Sequence, residues 1–71
     1  MTYDEALQRL DERGIQGEDA RTALDHALRD FTSVDHLVGF VEAERFSRTG
    51  VMRWFGQDGG RAVLALMEKV A

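Results

Sequence analysis

Ala20, Ala23, Leu24, Ala27, Leu28 and Phe31 recur at helical spacing, while Arg21, Thr22, Asp25, His26 and Arg29 fall on the opposite side. This is the strongest periodic stretch in the chain. It predicts a helix over 18–31 that opens near Gly17, with Glu18 and Asp19 in the first turn, where carboxylates meet free backbone amides favourably. Alanines leave the stripe with little bulk, so a second helix is expected to pack closely on it.

The same pattern, cut by glycines and never by proline, predicts the other elements. Tyr3, Ala6, Leu7 and Leu10 share one face of a first helix over 3–13. Thr2 and Glu5 have the spacing of a capping box. Gly14 has the place of a left-handed residue past the helix end, and Ile15 is set to fold back on Leu10, as in a Schellman ending. A third helix over 33–45, capped by Thr32 or Ser33, turns Val34, Leu37, Val38 and Val41 inward. Strand alternation fails there because Leu37 and Val38 are adjacent, as are Phe40 and Val41. Gly39 lies inside this helix at a cost of about 1 kcal/mol relative to alanine. Either close contact or tolerance accounts for it.

Ser47 has the place of an N-cap, with Phe46 and Val51 at the spacing of a hydrophobic staple. A short helix over 48–55 is expected to stop at Gly56, with Val51, Trp54 and Phe55 on its inner face and Arg48 and Arg53 turned away. Asp58 is then expected to cap a last helix over 59–70, striped by Val63, Leu66, Met67 and Val70. The fold class expected is all-α, a small orthogonal bundle of four to five short helices forming a single helical domain over 1–71.

Ile15, Ala20, Ala23 and Leu24 align with Phe46, Val51, Trp54 and Phe55 at an offset of 31 residues, each set leaving one helix and opening the next. Identities and glycines do not match, so the pattern is a recurring helical-hairpin grammar and not a solenoid. Residues 13–24, "RGIQGEDARTAL", resemble the MGF-loop, alanine and leucine pattern of ubiquitin-associated domains, although Arg13 stands where that family has methionine. "LDERGI" followed by "EDARTAL" is similar to the three-helix repeats of RecX-type recombination regulators, a basic family, whereas this chain is acidic. One helix-glycine-helix junction resembling two unrelated families assigns the chain to neither.

Composition changes this picture in three ways. Apolar residues at 44% and charged ones at 31% fit a globular domain and not a disordered tail. Cysteine is absent, which excludes disulfides and thiolate metal sites. Neither a secretory leader nor a membrane-spanning run is expected, so the location expected is cytoplasmic, with no membrane partner. Third, the net charge of −4 is uneven. Residues 1–36 hold nine carboxylates and four arginines; residues 37–71 hold four carboxylates and five basic groups. The acidic half repels phosphate backbones, which ranks nucleic acid below another protein as partner.

The candidate chemistry lies in "RFSRTGVMRWFGQDGG", residues 45–60. Phe40, Arg45, Arg48, Arg53 and Trp54 are the expected partner-binding residues, because Trp and Arg are enriched at binding hot spots. The alternative is that the aromatic residues are core and the arginine stems cover its rim. His26 and His36 lack further ligands at metal spacing, Ser33 and Ser47 have capping roles, and "GQDGG" lacks the strand and lysine of a phosphate loop. No catalytic, metal-binding or cofactor-binding residue is expected. The function expected is a non-enzymatic protein-protein interaction or regulatory module whose acidic N-terminal helices favour basic surfaces. A homodimer using Phe40 and Leu64 is one form of it. The alternatives are a DNA-binding helix-turn-helix regulator and an acidic mimic of nucleic acid.

Overall fold

The structure is a computed structural model describing residues 1–68, which form helices and no strand. The helices are α1 (Tyr3–Glu12), α2 (Gly17–Ala27), α3 (Val34–Glu44) and α4 (Arg48–Met67). The radius of gyration, 10.7 Å, is close to the roughly 11 Å of a compact chain this long.

Three of the four helices start at a side-chain cap, and α1 also stops at a local motif; the start of α2, after Gln16, has no such cap. Thr2 caps α1 by accepting from the Glu5 amide at 3.2 Å, and its hydroxyl donates to the Glu5 carboxylate at 3.2 Å. At the other end, the Ile15 amide donates to the Leu10 carbonyl at 2.9 Å and the Gly14 amide to Asp11 at 3.0 Å. These are the two hydrogen bonds of a Schellman ending, and Ile15 joins Leu10 in the core. Ser33 caps α3 through the His36 amide, and Ser47 caps α4 through the Gly50 amide, both at 3.1 Å. Arg45 ends α3 in the left-handed region, with φ 54° and ψ 43°, a conformation that side chains usually leave to glycine.

Two boundaries differ from the sequence expectation. α2 ends at Ala27, and Leu28 to Phe31 continue as turns in which the Phe31 amide donates to the Leu28 carbonyl at 3.1 Å. Phe31 still faces inward, but from a turn. The last two helices run together as α4, broken at Gly56, whose φ of 79° and ψ of 178° lie outside helical space. Gly56 is the stop, as expected, but Asp58 lies within the helical run and does not cap a separate helix starting at Gly59. The expected end at residue 70, with Val70 on the stripe, lies outside the described residues.

Gly59 and Gly60 are buried because helices meet there. A methyl on Gly59 would sit 3.5 Å from the Ala27 amide nitrogen, and one on Gly60 would sit 2.9 Å from the Met52 Cα. The first contact presses α4 onto the alanine stripe of α2, the helix with which it packs most extensively. The second folds the two arms of α4 against each other. A methyl on Gly39, by contrast, would meet nothing within 4 Å, so that glycine is tolerated and not required.

The core has two parts. Ala6, Leu10, Ile15, Ala20, Ala23, Leu24, Val34, Ala62, Ala65 and Leu66 form an aliphatic cluster between α1, α2 and the second arm of α4. Ala27, Leu37, Val41, Val51 and Val63 form the other, covered by partly buried Phe31, Phe40, Phe46 and Phe55. Polar ties fasten the ends: Arg9 donates to the Leu66 carbonyl, Arg13 pairs with Glu68 at 3.2 Å, and the Met1 ammonium pairs with Asp35 at 2.6 Å.

Candidate functional site

Side chains from α3, α4 and the turns before them make one continuous aromatic surface. Phe31 lies 5.1 Å from Phe40 and 6.0 Å from Phe55, ring centre to ring centre. Phe40 continues to Phe46 at 5.9 Å and to Trp54 at 6.1 Å, and Phe46 closes the group on Trp54 at 5.6 Å. These separations are those of favourable aromatic pairs. The phenylalanines are half-buried, whereas Trp54 is 63% exposed.

Trp54 therefore does not share the inner face of α4 with Val51 and Phe55, as the spacing had suggested. At 100° per residue, Phe55 lies about 40° to one side of Val51 and Trp54 about 60° to the other. The core takes Phe55, leaving the indole at the margin with Phe40 and Phe46 beneath it. The aligned position in the 31-residue offset, Ala23, is 5% exposed, so the two halves of that alignment are not equivalent in space.

The expected partner-binding residues divide into two groups. Phe40 and Trp54 meet, and Phe46, whose signal was its staple spacing, belongs with them. Arg45 and Arg53 are exposed, Arg45 next to Phe46 in sequence and Arg53 next to Trp54. Arg48 lies about 120° around α4 from Trp54. It borders a separate cavity with Arg13 and Arg61.

His36 meets the edge of Phe31 at 5.4 Å and lies 3.3 Å from the Thr32 hydroxyl through Nδ1. His26 is exposed on α2. Tyr3 donates to Asp25 at 2.8 Å, and that hydrogen bond, with partial burial and the nearby carboxylate charge, holds its phenol above the usual tyrosine pKa. Among the described residues, no group of three or more His, Asp or Glu is placed to hold a metal ion, and no helix is long and apolar enough to cross a membrane.

Comparison with protein-family models, curated proteins and solved structures finds no match to this chain.

Proposed function

We propose that this chain is a single, non-enzymatic interaction domain of the cytoplasm, an orthogonal bundle of five helical arms, which docks another protein on the shelf of Phe40, Phe46 and Trp54. The observation that carries this reading is an indole 63% exposed yet supported by two phenylalanine rings. An anchor already held in place loses less side-chain freedom on binding, and Trp is among the residues that dominate binding energy. Arg45 and Arg53 flank the shelf and engage the partner's rim, while the carboxylates of α1 and α2 steer approach toward basic surfaces.

The test compares proteins captured from the native cell extract by wild-type and Trp54→Ala beads. A partner held by the first and lost by the second, with the helical circular dichroism unchanged, supports docking on the shelf. Trp54 is the sole tryptophan, so the purified partner is also expected to shift its fluorescence. Equal capture by both, or a variant that unfolds, overturns the reading.

A helix-turn-helix reader of DNA is the second reading, favoured by three exposed arginines, Arg45, Arg48 and Arg53, at the α3–α4 turn and along the first arm of α4. Retention on heparin with a steep salt dependence would move the conclusion to it. Sedimentation at two concentrations tests whether the partner is a second copy of this chain.

A further inference from the structure

Three arginines lie away from the aromatic shelf. Arg13 closes α1, Arg48 opens α4 and Arg61 lies on the second arm of α4, yet all three border one cavity of about 420 Å³. The Schellman turn brings in the first, and the break at Gly56 folds the other two, thirteen positions apart, to the same place. Ile15, Leu64, Ala65 and Met67 supply apolar walls. The one carboxylate lining the cavity, Glu68, is paired with Arg13 at 3.2 Å. Among the described residues, neither Arg48 nor Arg61 has a carboxylate within 4.0 Å. A net charge of +2 thus borders a hollow of mixed polar and apolar lining in a chain whose net charge is −4.

Guanidinium groups match planar oxyanions through paired N–H donors, and apolar walls gain from covering hydrocarbon. Bare charge does not use the walls, and a neutral apolar molecule does not use the arginines. The hollow is open to solvent, and its volume falls in the range of small-ligand sites. A neighbouring hollow of about 220 Å³ shares Ile15 and Arg61 but is lined by Asp19 and Asp58, which exclude an anionic head from that side.

We propose that this cavity binds a carboxylate carried on a short apolar body, its head between Arg48 and Arg61 and its body against Leu64 and Met67. Two sources share that chemistry: a free acyl carboxylate, and the C-terminus of a peptide with an apolar last residue.

Calorimetric titration of the full chain with octanoate, N-acetyl-leucine, N-acetyl-leucinamide and inorganic phosphate separates them. At least one carboxylate is expected to bind with a Kd of about 1 mM or tighter, and the tighter of the two names the source. The neutral leucinamide and inorganic phosphate are expected to bind at least tenfold more weakly, at roughly 1.4 kcal/mol per tenfold. Arg48→Gln with Arg61→Gln, both at exposed positions, is expected to weaken the carboxylate at least tenfold with unchanged circular dichroism. Trp54→Ala, which removes the shelf, is expected to leave it bound at wild-type strength, so the two sites fail or survive separately. Absence of binding by both carboxylates at about 10 mM overturns the proposal. Equal binding by leucinamide or phosphate, or undiminished binding by the double variant, also overturns it.

Discussion

The two parts of the core differ in how they end at the surface. Between α1, α2 and the second arm of α4, small residues let backbones approach until Leu10, Leu24 and Ala62 have no exposed surface at all. Between α3 and the first arm of α4, Leu37 and Val51 are as deeply buried, but the margin is aromatic and half-covered, with Trp54 outermost. Alanine and glycine close an interface because they bring the chain itself into contact. Phenylalanine holds helices further apart and leaves ring surface at the seam. Both parts bury aliphatic side chains completely, but only the second carries a half-covered aromatic margin.

The largest effect should come from deleting one side chain in each part. Leu24→Ala removes a fully buried leucine and is expected to cost about 2–5 kcal/mol, comparable to the whole stability of a domain this small. Trp54→Ala removes a larger side chain but mostly exposed surface, and is expected to cost about 1 kcal/mol or less. Urea unfolding followed by circular dichroism reads both. Similar losses for the two would remove the distinction between a closed part and an open one.

A smaller effect isolates close approach from burial. Gly60→Ala puts a methyl 2.9 Å from the Met52 Cα, a backbone atom that cannot swing aside, and is expected to destabilise by about 1–3 kcal/mol. Gly39→Ala makes the same chemical change on a helix with open space around it, and is expected to stabilise by up to about 1 kcal/mol. Opposite shifts of the urea midpoint test whether contact, and not glycine's helix propensity, sets the effect at position 60. A stabilising shift for Gly60→Ala as well would mean that the α4 arms do not press together at Met52.

Much of this fold was legible because its signals are local. The Thr2, Ser33 and Ser47 caps, the Gly14 and Ile15 ending and the Gly56 stop each depend on residues at most six positions apart. The role of Gly59 and Gly60 was not legible, because glycine serves both turns and close approach, and which it serves depends on Ala27 and Met52. Phe31 was placed in a helix because a stripe tells which residues face inward, not whether a helix or a turn carries them. The site was half legible. Trp54 and Phe40 stood out by type, but the exposure of Trp54 depended on Phe55 taking the interior. That Arg13, Arg48 and Arg61 border one hollow depended on two turns whose combined geometry no spacing reveals.

The smallest effect lies on the rim of the closed part, where Tyr3 of α1 donates to Asp25 of α2 at 2.8 Å. That bond requires the neutral phenol; a phenolate would face the carboxylate with like charge and no donor. The folded pKa is accordingly raised, first by the hydrogen bond, then by partial burial and then by the Asp25 charge. A pKa raised on folding contributes stability that is complete below the unfolded value, near 10, and is lost as pH climbs through the folded one. The difference in urea stability between wild type and Tyr3→Phe is therefore expected to be constant from neutral pH to about 9 and to shrink above about 10. Because the aromatic part has no tyrosine, Phe46→Ala should show no such convergence with wild type over the same range. If both variants converge, the alkaline loss belongs to the whole surface charge and not to the α1–α2 bond.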